Sequence, residues 1–265
     1  MPEIMNAQNL KFGYSRENTV LEDFSFKVKN SEFVGLIGPN GSGKTTILKL
    51  LSGYLSPKAG DIFLGKQKIN LLSSRQRARI LGVVPQVIST TMPFTVKQVV
   101  EMGRTARISP FLPLRGHDHE AVCSAMNEMD VFEIKNSLFS QLSGGERQRT
   151  IIAAALAQEP EMLLLDEPTS SLDLGHKLQL MGLLKGLQAR GMTVMAVSHD
   201  IELMAKYCDR LVLLKNGKVL ASGAPPEIIT PELIKEAYGC EVNVIVGING
   251  EPLISAEIKA AEIKY

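Results

Sequence analysis

Gly38-Pro39-Asn40-Gly41-Ser42-Gly43-Lys44-Thr45 has the composition and spacing of a phosphate-binding loop. It follows an apolar run over residues 33–37 and precedes a helix-compatible run that begins at Thr46, which predicts the order strand, loop, helix. Glycines let successive backbone N–H groups turn toward a phosphate chain, and the helix start adds unpaired N–H groups. Lys44 could then reach the β- and γ-phosphates of a nucleotide, and the Thr45 hydroxyl could bind Mg²⁺. A turn that merely joins a strand to a helix is the alternative, which both flanking runs disfavour. We include Thr46 in the predicted nucleotide-binding set.

The composition is that of a globular chain with a sizeable core. The chain has 265 residues, 45% of them hydrophobic and 22% charged, and a net charge of +1. This balance gives no electrostatic argument for nucleic acid, so we predict no nucleic-acid partner. The three cysteines have no metal-ligand spacing, which favours a reducing cytosol. The apolar runs fall short of the roughly 18 residues that a membrane span needs. We therefore expect another chain to supply the membrane part of any membrane process.

The first thirty residues predict an antiparallel β region. Residues 4–12 form a mixed run, and apolar and polar residues alternate over residues 24–29. Tyr14 follows the first run, beside Gly13. Its ring could be exposed for stacking on a nucleotide base, or it could be an ordinary aromatic at a strand end, and the local sequence leaves both open.

Three later apolar runs carry polar residues only at their C-terminal edges. Residues 80–84 lead to Gln86, residues 162–165 lead to Asp166 and Glu167, and residues 193–197 lead to His199. Unbroken apolar strands separated by helices are typical of a parallel sheet covered on both faces, and such sheets bind ligands at the carboxyl ends of their strands. We expect these four side chains to converge on the phosphate held by the glycine loop.

The chemistry of these residues fits that position. Asp166 could ligate a Mg²⁺ held by Thr45 or accept hydrogen bonds from its waters, and Glu167 could polarise the water that attacks the γ-phosphate. Gln86 offers an amide oxygen to the metal or to that water, and His199 could donate a hydrogen bond to the γ-phosphate. The alternative for each is a polar cap on a strand. Convergence argues against it.

Residues 87–157 predict an inserted helical subdomain. Thr95 and Gln98 have the spacing of a capping box, and residues 117–130 carry apolar side chains at helical spacing. Two histidines at positions 117 and 119 lack the spacing that places two ligands on one helix face, so we interpret them as solvated.

The insertion closes with Ser143-Gly144-Gly145-Glu146 before an apolar helix over residues 151–157. Ser143 and Glu146 fit a capping box. A cap alone does not explain the two glycines, because each costs a helix about 1 kcal/mol. They would let a second anion approach the N–H groups of this helix start.

Taken together and in this order, these segments resemble the ATP-binding subunits of ABC transporters across nearly the whole chain. The resemblance rests on residues 38–45, Gln86, residues 142–146, residues 163–169, residues 171–173 and His199. It implies an α/β fold: a P-loop NTPase core with a mainly parallel sheet, an N-terminal antiparallel β region and an inserted helical subdomain. One ABC ATPase domain would span residues 1–265, with a catalytic lobe of about 1–86 and 158–265 and a helical subdomain of about 87–157.

The resemblance also implies ATP and Mg²⁺ and a head-to-tail dimer. In that dimer, residues 143–146 of one subunit cover the γ-phosphate held by Lys44 of the other, and residues 171–173 line the seam. Tyr14 would stack on adenine, and the loop after Gln86 would receive a helix from a membrane permease. Such a subunit lies on the cytoplasmic face of the membrane as a peripheral protein.

A finer resemblance is to the ATPases of importers for iron chelates, haem and cobalamin, which work indirectly with an extracytoplasmic substrate-binding protein. It rests on residues 92–104, 172–176 and 238–242. Residues 153–156 depart from the family, which usually has an arginine in the middle of this segment. The segment lies in the helix that follows residues 142–146, so the departure does not put ATP binding in doubt. The apolar cluster Met92, Pro93 and Phe94 lies either near the permease contact or inside the subdomain. A soluble ABC ATPase acting on DNA or ribosomes, or a transporter for another substrate, is the alternative function. The single P-loop and the lack of long heptad repeats argue against the soluble class.

Overall fold

The computed structural model describes residues 2–15, 18–86, 93–108, 113–248 and 250–255. Met92 and the rest of the loop after Gln86, the first half of the predicted connector at 109–116, and the tail beyond residue 255 lie outside the described residues. Within the described ranges no helix has the length and hydropathy to cross a membrane.

The strands are, in chain order, β1 (Glu3–Gly13), β2 (Thr19–Lys29), β3 (Phe33–Ile37), β4 (Ala59–Leu64), β5 (Gln67–Lys68), β6 (Leu81–Val84), β7 (Met162–Asp166), β8 (Thr193–Val197), β9 (Arg210–Lys215), β10 (Lys218–Gly223), β11 (Asn243–Val246) and β12 (Pro252–Ser255). The α-helices are α1 (Lys44–Leu51), α2 (Ser74–Ala78), α3 (Val96–Met102), α4 (Gly116–Glu128), α5 (Gly144–Leu156), α6 (Leu174–Ala189), α7 (Ile201–Tyr207), α8 (Pro225–Ile228) and α9 (Pro231–Tyr238).

The central sheet has six strands in the order β10-β9-β3-β8-β7-β6, and only the edge pair β9–β10 is antiparallel. Every residue of β3, β7 and β8 is buried, as expected for strands covered on both faces. The predicted parallel sheet is confirmed. The carboxyl ends of β3, β6, β7 and β8 consequently share one edge.

The N-terminal strands form a second, antiparallel sheet in the order β2-β1-β4-β5, which confirms the predicted β region. Helix α1 lies between the two sheets, because Ile47 and Leu50 pack with Leu10 of β1 and with Val197 of β8 in one apolar cluster. The helix that follows the phosphate loop is therefore fixed from both sides.

The hairpin between β9 and β10 braces the phosphate loop. Asn216 and Gly217 both have positive φ, 48° and 73°, as a two-residue type I′ turn requires. The backbone N–H of Gly217 donates to the carbonyl of Ser42 at 3.1 Å. A Cβ at Gly217 would lie 1.8 Å from the carbonyl oxygen of Val20, so this contact admits only glycine.

Helices α3, α4 and α5 pack on one another around Val100, Met126 and Ile152. The capping boxes at Thr95 and Ser143 are both present, and the helix predicted from residue 117 begins one residue earlier, at Gly116. Phe94 is half-buried, and its carbonyl accepts a hydrogen bond from the backbone of Phe139 at 2.8 Å.

Candidate functional site

The glycine loop leaves the carboxyl end of β3 and ends at Gly43, the N-cap of α1. Gly41 and Gly43 have φ values of 77° and 98°, which favour glycine. A Cβ at Gly38 would lie 2.4 Å from the carbonyl oxygen of Leu214, so this position also requires glycine. The loop thus wraps backbone around the start of α1 and uses no side-chain cap there.

Lys44 is buried and folded into this loop. Its ammonium donates to the carbonyl oxygens of Gly38 and Pro39 at 2.7 and 2.9 Å. Burial lowers the pKa of Lys44, and the nearby Glu167 and Asp166 carboxylates oppose that shift. A buried cation whose ammonium donates to loop carbonyls, with carboxylates nearby, can interact strongly with an incoming anion.

Ser42 supplies a test of whether the loop suits a phosphate. Its hydroxyl is buried and has no hydrogen-bond partner among the described residues. Buried hydroxyls normally have partners, and a phosphate oxygen in the loop would provide one. The donor set of the loop therefore fits a nucleotide phosphate chain.

Thr45 and Asp166 meet across the sheet edge, although 121 positions separate them in sequence. The Thr45 hydroxyl donates to Asp166 Oδ1 at 3.2 Å. Burial raises the pKa of Asp166 and the adjacent Glu167 raises it further, against the lowering effect of the Thr45 hydrogen bond. A hydroxyl and a carboxylate with a buried charge make a suitable pair of oxygen ligands for Mg²⁺.

Glu167 and His199 form a direct hydrogen bond, with Nδ1 of His199 2.7 Å from Glu167 Oε2. Sequence reasoning gave these residues separate roles and missed this bond. Glu167 has a left-handed φ of 50°, an uncommon conformation for a residue other than glycine that often marks functional sites. Its backbone N–H donates to the carbonyl of Val197 at 3.0 Å, which fixes the residue at the end of β8.

Tyr14 lies beside the loop and is 59% exposed. Its ring packs edge-on against Phe12, with centroids 5.1 Å apart, and its hydroxyl lies 3.2 Å from Oγ1 of Thr46. The ring is thus held at the start of α1 with much of its surface open.

Gln86 is exposed and follows β6 by two residues. Val84 of β6 pairs with Leu165 of β7, so Gln86 lies on the same edge of the sheet as Asp166. The preceding Pro85 and Asp166 line one cavity.

The turn at Ser143 belongs to a second group of candidate site residues. The Ser143 hydroxyl and backbone N–H donate to Glu146 Oε2 at 2.7 and 2.9 Å, which lowers the pKa of Glu146. Ser143 and Gly144 are exposed, and the atoms nearest to a side chain placed at Gly144 belong to residues 171 and 172. The two segments that the resemblance assigns to a dimer seam therefore lie against each other in one chain.

His176 belongs to this second group, which sequence reasoning did not anticipate. Its Nδ1 donates to Asp173 Oδ1 at 2.8 Å, and its backbone N–H donates to the same oxygen at 2.9 Å. These bonds lower the pKa of Asp173, the backbone bond most strongly. An N-capping Asp with His three residues later is the signal that could have indicated the pair.

Comparison with known proteins agrees with this geometry. Residues 21–170 match the family described as ABC transporter. The chain is 37% identical over 252 residues to the ferric enterobactin transport ATP-binding protein FepC of Escherichia coli (strain K12), covering 94% of this chain and 93% of that protein. It is 39% identical over 259 residues to the hemin import ATP-binding protein HmuV of Pseudomonas fluorescens (strain Pf0-1), covering 96% and 100%.

A solved structure of a metal-chelate type ABC transporter in an inward-facing conformation is similar in fold. It superposes with a TM-score of 0.85 and 27% identity over 98% of this chain and 99% of that one. The family match covers more than half of the sequence, and both relatives exceed 30% identity over nearly its full length. The chain therefore belongs to the ABC transporter family and is one of its ATP-hydrolysing subunits.

Proposed function

We propose that this chain hydrolyses ATP at the loop edge of its central sheet to drive uptake of a metal chelate through a separate permease. The observation that carries the site assignment is the meeting of Thr45 with Asp166 and of Glu167 with His199 at the carboxyl ends of neighbouring strands. Side chains from three segments of the sequence converge where the loop would present a phosphate chain.

In this proposal the loop binds the phosphates and Tyr14 binds the base. Lys44 turns from its loop carbonyls to the β- and γ-phosphates, while the Ser42 hydroxyl and backbone N–H groups donate to phosphate oxygens. The exposed ring of Tyr14 stacks on adenine. The nucleotide-binding residues are Tyr14, Gly38, Pro39, Asn40, Gly41, Ser42, Gly43, Lys44, Thr45 and Thr46, with Ser143, Gly144, Gly145 and Glu146 acting from a second copy.

Thr45, Asp166 and Gln86 would hold Mg²⁺, which neutralises charge on the β- and γ-phosphoryl oxygens when bound. Mg²⁺ in nucleotide sites is usually bound by one or two carboxylates together with substrate phosphates and waters, and a donor set with the single carboxylate of Asp166 suits that mode. Thr45 is already hydrogen-bonded to Asp166, so the two ligands are close together before any ion binds.

Glu167 accepts the proton of the attacking water as general base, and Gln86 assists in orienting that water. His199 orients Glu167 through its Nδ1. A neutral ring that donates from Nδ1 has only an acceptor at Nε2, whereas a protonated ring donates from both nitrogens. To donate to the γ-phosphate from Nε2 while Nδ1 still donates to Glu167, His199 must carry a proton on both ring nitrogens.

The active unit is a head-to-tail dimer, in which the Ser143 turn of one copy completes the phosphate site of the other. The exposed Ser143 and Gly144 and the neighbouring segment 171–173 supply the surface for this contact. Each copy has a catalytic lobe of about residues 1–86 and 158–265 and a helical subdomain of about 87–157.

A permease helix occupies a mainly apolar groove of about 600 Å³ between α1, α2 and β6. Tyr54, 79% exposed, lies at this groove, and Asp166 and Pro85 line it. The groove thus connects the proposed metal ligand with the residue before Gln86, so a bound helix would contact both. Pro93 and Phe94 follow the loop after Gln86 in the sequence and belong to the proposed contact region. Attachment to a permease would hold the chain at the cytoplasmic face of the membrane.

The relatives named above are ATP-binding proteins for ferric enterobactin transport and for hemin import, which favours a siderophore, haem or cobalamin type of cargo. The test is to reconstitute the chain with its permease and an extracytoplasmic substrate-binding protein in vesicles. We expect a metal chelate of this class to stimulate ATP hydrolysis and to enter the vesicles. Stimulation by a sugar or an amino acid, and by no chelate, would overturn the substrate class but leave the ATPase intact.

A further inference from the structure

The two glycines at the beginning of α5 have different surroundings. A Cβ at Gly144 would make ordinary contacts, the nearest being the carbonyl oxygen of Ser171 at 3.6 Å. A Cβ at Gly145 would lie 2.4 Å from Cδ2 and 2.8 Å from Cγ of the His176 ring. Gly145 is not among the described residues with positive φ, so its backbone would accept alanine. The histidine ring, and not backbone conformation, therefore excludes a side chain at position 145.

The ring that excludes this side chain is itself hydrogen-bonded to Asp173. Both the ring and the backbone N–H of His176 donate to one oxygen of Asp173, the N-cap of α6. Asp173 ends the segment 171–173, whose Ser171 carbonyl is the nearest atom to a side chain at Gly144. His176 consequently joins this segment to the beginning of α5.

We propose that His176 is a positioning residue that holds the Ser143 turn in a fixed relation to residues 171–173, and that position 145 is glycine to admit its ring. This inference rests on the proposed function, in which the Ser143 turn contacts the nucleotide of a second copy and residues 171–173 line the contact between the two copies. A shift of about 1 Å in the turn would misplace Ser143 against the partner's γ-phosphate and could cost up to about 100-fold in rate. It would leave the phosphate loop of the same chain unchanged.

The test compares Gly145→Ala, His176→Ala and the double variant. With alanine at 176, the remaining His176 atom near the new side chain is Cβ, at 3.2 Å, a tight contact without the ring clash. We expect Gly145→Ala to lower Tm by about 4 °C or more and kcat by about 10-fold or more. The double variant should match His176→Ala in Tm, because alanine at 145 no longer meets a ring.

Two further measurements separate positioning from general damage. Nucleotide affinity, measured by titration of each variant at low protein concentration, should stay within about 2-fold of wild type while kcat changes. His176→Asn, which keeps a donor near the position of Nδ1, should recover most of the kcat lost in His176→Ala.

Additive effects of Gly145→Ala and His176→Ala on Tm would overturn the contact. Failure of His176→Asn to recover kcat, or loss of nucleotide affinity in step with kcat in His176→Ala, would overturn the positioning role. The comparison of Tm among the two single variants and the double variant needs no nucleotide. It therefore tests the contact between position 145 and His176 even if the wild-type chain shows no ATPase activity. A wild-type chain without ATPase activity would refute the proposed function separately.

Discussion

Asp166 illustrates a conflict between the proposed function and stability at a single residue. Burial and the adjacent Glu167 raise its pKa, so the native state favours the protonated carboxyl more than the unfolded chain does. The stabilising contribution of this group is present at low pH and is lost as pH rises through its folded pKa. At neutral pH the buried charge destabilises the nucleotide-free fold.

We therefore predict that Asp166→Asn raises Tm at pH 7.5 without nucleotide or Mg²⁺. A gain of about 1 kcal/mol in the free energy of unfolding corresponds to a rise of a few degrees in Tm. Asparagine can still accept the Thr45 hydrogen bond, and the gain should shrink as pH falls toward the Asp166 pKa. Thermal unfolding across this pH range measures it. As a control of opposite sign, Glu32→Gln should lower Tm. Burial raises the pKa of Glu32, but the hydrogen bonds from Arg210 and from the backbone of Lys29, together with the positive charges of these residues, lower it overall. A lower Tm for Asp166→Asn would contradict the account.

Some residues of the candidate site could be predicted from the sequence, whereas the contacts between them could not. Asp166, Glu167 and His199 could be predicted because each ends an apolar run, and parallel strands bring such ends to one edge. The bond between Glu167 and His199 could not be predicted, since it depends on side-chain orientation across two strands. His176 was missed because its neighbour Gly145 lies 31 positions away, on another helix.

At the scale of elements, a buried arginine ties the helical segments together. Arg104 is 2% exposed, follows α3 and donates twice to Asp118 of α4, at 2.9 and 2.8 Å. It also donates to Glu159 and to the carbonyl of Ala157, both at 2.7 Å, in the connection from α5 to β7. In sequence an arginine after a helix resembles any solvated cation, so burial alone distinguishes it.

Arg104→Met should lower the free energy of unfolding by roughly 3–5 kcal/mol, because it leaves the buried Asp118 without its cation. Arg104→Lys should recover only part of this loss, since an ammonium cannot reproduce the planar fork of donors. Urea unfolding at pH 7 measures both. In the matched control Arg190→Met, the exposed pair with Glu128 at 3.5 Å is lost at a cost below about 1 kcal/mol. A loss for Arg104→Met no larger than for this control would show that the cluster contributes little.

At the scale of the whole molecule, the capping boxes and apolar runs could be read from the sequence because each is a local pattern. The apolar groove could not, since three elements that are separate in the sequence, α1, α2 and β6, form it only when they pack together. Its exposed Tyr54 looks like an isolated surface aromatic in the sequence.

The groove leads to a prediction for the assembled transporter. Tyr54→Asp should reduce co-purification with the permease and uptake by about 10-fold or more, because it places a charge in an apolar contact. ATP binding by the isolated chain should stay unchanged. Val246→Asp is the matched control, since Val246 on the C-terminal hairpin is 78% exposed and lies away from the groove. Equal effects of the two variants would argue against the groove as the permease contact.

The oligomeric state of Glu167→Gln, with and without ATP and Mg²⁺, decides whether two copies share the nucleotide site. Glutamine keeps the shape of Glu167 but cannot act as general base, so we predict a fall in kcat of about 10²–10⁴-fold. Unhydrolysed ATP should then persist between the phosphate loop of one copy and the Ser143 turn of another. Gel filtration with light scattering should show a dimer with ATP and a monomer without it. Hydrolysis near the wild-type rate, or an inactive variant that stays monomeric with ATP, would contradict this account.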